Sequence, residues 1–258
     1  MAAGIVASKL GIKLIHVESG LRSFDRAMPE EINRLVTDQL SDILFVSEKS
    51  GLKNLKKENI PKEKCFFVGN VMIDSLVSIL PKLKKDKSLG KYAVVTIHRP
   101  SNVDTEKDLR NILDILKEVS KEYKIIWPIH PRTRNNIEKF GLKEYIKGFD
   151  FREPLGYIEF MNLIYNSSIV ITDSGGIQEE TSYLKIPCIT LRYNTERSVT
   201  VTDGTNFLTG PIKEKVFKSL NDIKSGNYNK NPKIKYWDGK AAKRIIKTLK
   251  KLNQSSFP

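Results

Sequence analysis

The stretch SIVITDSGGIQEETSYLKIP, residues 168–187, decides the fold class. Its apolar, β-branched run (Ile169, Val170, Ile171) stops at Asp173. Ser174, Gly175 and Gly176 follow, and then a helix-forming segment that carries Glu179 and Glu180. This reads as strand, tight glycine turn and helix start. Such a turn converges backbone N–H groups and the positive end of a helix dipole on one point, where a phosphate or diphosphate binds well. Glu180 lies one helical turn past Gly176. Helical side chains lean toward the N-terminus, so its carboxylate can reach back to the same ligand and accept hydrogen bonds from a sugar diol. The same residues also fit an ordinary strand-to-helix turn with glycine for close packing, because a lone Gly-rich turn is a weak signal.

Outward from this unit, strand-like and helix-like runs alternate along the whole chain. Strands are expected at 14–18, 43–46, 65–68, 93–98, 125–129, 148–151, 168–172, 188–191 and 206–208. Helices are expected near 2–10, 29–40, 49–57, 72–80, 106–121, 132–140, 157–165, 175–184, 212–221 and 239–251. Alternation of this kind, with strands apolar on both faces, predicts a parallel α/β architecture. The polar, lysine-rich stretch 81–91 is the expected linker. Three strands precede it and six follow. A doubly wound domain usually has five or six strands, so the second half reads as complete and the first as cut short. The expected organisation is a partial Rossmann-like half over 1–80, a complete nucleotide-binding half over 91–236 and a basic C-terminal helix over 237–258.

Composition narrows the function classes. The chain has 258 residues, 40% of them hydrophobic, enough for a sizeable core. No run of about 18 apolar residues exists, so no membrane span is expected. The N-terminal MAAGIVASKLGIKL lacks the basic leader and cleavage pattern of a secretory signal and reads as a packed helix with Ile5, Val6 and Leu10 on one side. Two cysteines, Cys65 and Cys188, read as buried thiols in the reducing cytoplasm. Three histidines (His16, His98, His130) lie too far apart for metal-ligand spacing. The net charge of +14 comes mostly from lysines on exposed helix faces and loops, without interleaved aromatics. That favours a solvated surface and an anionic small substrate over nucleic acid.

In parallel sheets the ligand crevice lies beyond the carboxyl ends of the strands. Glu18, His98 and Asp173 end strands there, and Arg22, Asp25, Glu30 and Glu31 follow the first strand. Carboxylates and an imidazole near a diphosphate cradle are the parts needed for proton transfer beside a phosphate leaving group. Each has a structural alternative. Glu18, His98 and His130 can cap strands, and Glu30 and Glu31 follow Pro29 at a helix start, where acids favour the dipole anyway. Tyr157 and Phe160 can stack on a base or fill the core. Arg197 can fork onto a phosphate or a surface carboxylate.

The segments HVESGLRSFDRAMPEEINR (16–34), TIHRPSNVD (96–104), PIHPRTR (128–134), PLGYIEF (154–160), TDSGGIQEE (172–180) and LRYNTER (191–197) together resemble the non-hydrolysing UDP-N-acetylglucosamine 2-epimerases. The resemblance implies a GT-B-like fold of two Rossmann-like halves. It also implies epimerisation at C2 of UDP-GlcNAc to UDP-ManNAc by elimination and re-addition of UDP, with no cofactor and no metal. By position, Glu18 and Glu30 match catalytic carboxylates, and His98 matches a residue near the diphosphate. Ser174, Gly175 and Gly176 match the phosphate cradle, Glu180 the ribose-diol carboxylate and Arg197 the late arginine of the nucleotide site. Leu155 and Phe160 match the uracil pocket, while Glu31 and Glu179 are left as structural. A cytoplasmic enzyme serving cell-surface polysaccharide synthesis is implied, as a homodimer or with a complementing N-terminal fragment.

The match also departs from the pattern. A TRPE-type loop and an HGDT-type segment with a further catalytic aspartate would fall upstream of Met1, and HRPSN stands where HRPEN is common. The expectation is an N-terminally truncated, impaired member, with an exposed edge strand and apolar patch beside 14–18. A GT-B glycosyltransferase using a UDP-sugar, a hydrolysing epimerase and an inactive UDP-binding remnant remain as alternatives.

Overall fold

In a computed structural model, which describes residues 1–86 and 88–254, the chain divides into two compact units. The first comprises residues 1–78, 195–202 and the segment from Lys233 onward, and the second comprises 79–194 and 203–232.

The first unit holds a three-stranded parallel sheet of β1 (Ile15–Ser19), β2 (Ile43–Val46) and β3 (Cys65–Phe67), in that order. Its central strand is buried throughout. Phe45 and Ile43 pack with Val68 beneath Ile245, Leu249 and Leu252 of the C-terminal helix, Ala241–Gln254. Leu44 and Val46 point the other way, onto Leu52 and Leu55 of the helix Lys49–Lys57. This is the period-two alternation of a strand covered on both faces. By contrast, β1 is an edge strand, with Ile15 and Val17 exposed as expected.

The second unit holds a six-stranded parallel sheet. Its strands are β4 (Tyr92–Thr96), β5 (Lys124–Pro128), β6 (Asp150–Arg152), β7 (Ile169–Thr172), β8 (Cys188–Thr190) and β9 (Asn206–Leu208). Their order is β6-β5-β4-β7-β8-β9. This is the doubly wound order, and the direction of winding reverses between β4 and β7. In sheets of this order, ligands bind beyond the carboxyl ends of the two strands at the reversal. The core beneath it is built from Val95, Ile97, Leu113, Leu116, Trp127 and Ile171, among others. Fully burying each such side chain contributes roughly 1.5–3 kcal/mol.

All nine expected strands form. Some details differ from the sequence reading. The N-terminal helix forms over Ala2–Lys9, but Ile5, Val6 and Leu10 are exposed and Gly4 is its buried residue, packed near Leu14. Cys65 is half-buried rather than buried, because its strand lies at the other edge of the small sheet; both cysteines are free thiols. Strand β4 stops at Thr96, since the next residues turn to bond Asp173. Two short helices, Pro100–Val103 and Ser198–Thr202, were not anticipated. The polar stretch 81–91 is anchored: the Lys84 and Asp86 N–H groups donate to Asn162 and Asn166 on the helix Tyr157–Asn166. No helix among the described residues is long and apolar enough to cross a membrane.

Candidate functional site

In the second unit, the residues of the expected cradle lie at a strand-to-helix turn. Ser174 takes the N-cap position of the helix Gly175–Leu184, yet no side chain caps that helix. A helix start of this kind suits an anion. A Cβ built on Gly176 would meet nothing within 4 Å. Packing does not demand glycine there, which removes the close-packing reading for that residue. Below the turn the helix is set on a buried polar network. Gln178 donates to the Ser174 carbonyl at 3.0 Å and accepts from Asn206 at 3.0 Å, and Asn206 accepts from Thr190 at 2.6 Å. Such networks fix one orientation when their members are paired.

Glu180 is 5% exposed, and the Tyr157 hydroxyl donates to its Oε1 at 2.9 Å. Burial pushes its carboxyl up to about 7, against a smaller opposing effect of the Tyr157 hydrogen bond. The same burial, with the neighbouring carboxylate, raises the Tyr157 phenol. Tyr157 thereby ties the cradle helix to the segment that carries Leu155 and Phe160. Both are half-buried, on either side of the helix start at Gly156. Tyr157 is 41% exposed and so is not core filler.

Asp173 is fully buried at the end of β7 and organises the switch point. It accepts from the backbone N–H groups of His98 (3.0 Å) and Arg99 (2.8 Å) and from the Asn102 amide (3.0 Å). The His98 Nδ1 lies 3.2 Å from its other oxygen, while the ring remains 42% exposed. An oriented but accessible imidazole is what proton transfer or a phosphate contact requires. The ring also lies 5.5 Å, centre to centre, from that of His130, whose own Nδ1 accepts from the Arg132 N–H and so caps a helix. The structure thus gathers His98, Ser174, Gly175, Gly176 and Glu180 around the carboxyl ends of β4 and β7. Asp173 stood out in the sequence only as a strand-ending acid; its anchoring role became legible once the strand order was known.

In the first unit, Glu18 occupies a bulge where the β1–β2 register shifts between Val17 and Ser19. Its φ is +64°, left-handed backbone that side-chain-bearing residues rarely adopt. A bulge re-aims a side chain, and strain of this kind gathers at working residues. Arg197, from the segment 195–202, brings Nη2 within 3.9 Å of Glu18 Oε1. Charges alternate onward from there: Arg197 meets Glu196 at 3.3 Å, Glu196 meets Arg34 at 3.5 Å, and Arg34 meets Glu31 at 3.5 Å.

Glu31 is buried and accepts from Ser23 N–H, Ser23 Oγ and Phe24 N–H. It pins the loop after β1, the structural role expected of it. Glu30, one residue earlier on the helix Pro29–Leu40, stays exposed. A further acid, Glu48, sits almost fully buried at the carboxyl end of β2. Burial pushes its carboxyl up, while Ser50 and Ser198 donate to it and Arg197 acts in the same, opposing sense. Nothing in its sequence setting, SEKS, separates it from a surface residue. Among the described residues no cluster of His, Cys, Asp or Glu is arranged to hold a metal ion.

Comparison with known proteins meets this geometry. The family model for UDP-N-acetylglucosamine 2-epimerase matches residues 1–250. A UDP-N-acetylglucosamine 2-epimerase of Methanocaldococcus jannaschii is 42% identical over 96% of this chain and 72% of its own length. A UDP-2,3-diacetamido-2,3-dideoxy-D-glucuronate 2-epimerase of Pseudomonas aeruginosa is 37% identical over 98% of this chain and 72% of its own. The crystal structure of the M. jannaschii UDP-GlcNAc 2-epimerase in complex with UDP-GlcNAc and UDP superposes with a TM-score of 0.89 at 41% identity, covering 97% of this chain and 72% of that one. Both sheets and the winding order described above are those of two Rossmann-like halves of the GT-B type. The chain belongs to the non-hydrolysing UDP-N-acetylglucosamine 2-epimerase family and, like its named relatives, is an isomerase.

Proposed function

We propose that this protein interconverts UDP-N-acetylglucosamine and UDP-N-acetylmannosamine. A carboxylate takes the C2 proton while the C1–O bond breaks, releasing UDP and leaving a 2-acetamidoglucal. A β-phosphate oxygen of UDP then re-adds at C1, and a proton returns to C2 on the opposite face. Glu18 and Glu30 are the proton carriers, and His98 serves the diphosphate and the anomeric oxygen. The open N–H groups after Ser174 hold the diphosphate, Glu180 accepts from the ribose diol, and Leu155 and Phe160 receive the uracil. Arg197 faces Glu18 and serves the nucleotide.

The observation that carries this reading is Glu18 itself. It is a carboxylate on a left-handed bulge residue, 30% exposed at the side chain and facing an arginine. A nucleotide cradle alone would serve a glycosyltransferase equally well; a strained acid such as Glu18 has no use in simple UDP binding.

The test is incubation with UDP-GlcNAc in D₂O without any acceptor, followed by NMR. UDP-ManNAc carrying deuterium at C2 supports the proposal. Free UDP with free ManNAc points to the hydrolysing reaction, and turnover only on addition of an acceptor points to a transferase. UDP binding without deuterium uptake points to a nucleotide-binding remnant. The same incubation with the diacetamido-glucuronate nucleotide asks whether the substrate of the Pseudomonas relative is taken instead.

A further inference from the structure

Something must hold Glu18 in its left-handed backbone, and the chain on both sides of it ends on one carboxylate. Two residues before Glu18, the His16 Nδ1 lies 2.5 Å from Asp38 Oδ1. Two residues after it, the Gly20 N–H donates to Asp38 Oδ2 at 3.0 Å. Arg22 Nη2 donates to the same oxygen at 2.6 Å. Asp38 is fully buried. It lies on the helix Pro29–Leu40, the helix whose first turn carries Glu30.

Gly20 cannot relax toward its neighbour. Its φ is +78°, and a Cβ there would stand 2.6 Å from the Gly51 carbonyl oxygen. Arg22 is locked in turn by a two-pronged bond to Glu58, at 2.8 and 2.7 Å. The bulge is therefore clamped at both shoulders to one rigid helix.

We propose that Asp38 is a positioning residue for catalysis: by gripping His16 and Gly20 it sets the Glu18 carboxylate in place relative to the helix that bears Glu30. The inference rests on the proposed roles of those two acids. Asp38 touches no reacting atom. A buried aspartate with two oxygens is suited to this, because it accepts from both shoulders and from an arginine at once, and a carboxamide has one acceptor oxygen only.

Three variants test it in the full chain. Asp38→Asn keeps the shape but loses acceptor capacity. It should lower kcat for C2 deuterium uptake at least tenfold, leave KM and the UDP affinity within about threefold, and shift the Glu18 backbone out of the left-handed region in a crystal structure. Glu58→Gln loosens the same cluster without touching His16 or Gly20, and should leave kcat near wild type. His16→Ala removes one shoulder only and should move kcat the same way by a smaller factor, which covers the case in which Asp38→Asn does not fold.

Asp38→Asn with wild-type kcat, or with Glu18 still left-handed, overturns the proposal. So does an equal loss in Glu58→Gln, which would show that general loosening suffices. If the wild type takes up no deuterium, the proposed reaction fails, and the backbone of Glu18 in the variant still judges the clamp.

Discussion

The two units solve different problems with different materials. In the proposed reading the second unit holds the nucleotide with backbone: a helix start with no side-chain cap, a glycine with open space above it and a six-stranded sheet whose winding reverses at that point. The first unit prepares an acid with side chains. Its small sheet runs β1-β2-β3 without a reversal among the described residues, and Glu18 is held by a bulge, an alternating row of charges and a shared carboxylate. Backbone cradles tolerate much variation in side chains. A strained acid depends on each of its neighbours.

Substitutions should therefore separate the two regions. The largest effect is expected for Glu18→Gln, with a rate loss of about 10²–10⁴-fold. UDP affinity by calorimetry should stay within a few-fold of wild type; loss of both together would erase the distinction. Next is Asp173→Ala in the second unit. It leaves the buried N–H groups of His98 and Arg99 without their acceptor, and should lower stability by about 2–5 kcal/mol in denaturant melts. If stability is unchanged, Asp173 does not anchor the switch point.

Glu180→Gln sharpens the comparison through pH. The folded carboxyl titrates near 7 against an ordinary value of 4.5, so the fold disfavours its ionised form. Wild-type stability should fall as pH rises from about 4.5 to about 7 and then level off, by up to roughly 3 kcal/mol. Glu180→Gln should remove that loss, giving a higher melting temperature than wild type at pH 8 and little difference at pH 4. Its UDP affinity should nevertheless be lower, because an amide presents a weaker acceptor to the diol. In the wild type, affinity for UDP should rise with pH through about 7. A flat profile would mean that the ionised carboxylate is not what the ribose meets.

The smallest expected effect is from Gly176→Ala. The open space means the fold tolerates the methyl group, while the diphosphate can no longer approach the backbone as closely. UDP affinity should weaken about tenfold, or ~1.4 kcal/mol, with an unchanged melt. An unchanged affinity would mean that the cradle lies elsewhere.

Much of this was legible in the sequence. Strand runs such as Ile169–Thr172 and Tyr92–Thr96 are buried on both faces, so their apolar character is continuous and hard to mistake. The strand–turn–helix that carries the proposed cradle was legible because its signals are local: cap and glycines adjoin the strand end. What was not legible depends on long-range partners. The N-terminal helix shows apolar spacing, but Ile5 and Val6 find no partner in the described structure that buries them. The roles of Asp38, Glu48 and Asp173 arise from residues far away in the chain. Arg197 lies beyond β8 in sequence, yet its segment joins the unit of Glu18. No periodicity in the chain marks any of these.

The most direct measurement is the one-dimensional proton spectrum of UDP-GlcNAc incubated with the wild-type protein and with Glu18→Gln in D₂O. The wild type should produce UDP-ManNAc in which the H2 signal is lost to deuterium, and the variant should be slower by at least two orders of magnitude. Equal deuterium uptake by the two proteins would contradict the claim that a clamped, left-handed glutamate moves the sugar's proton.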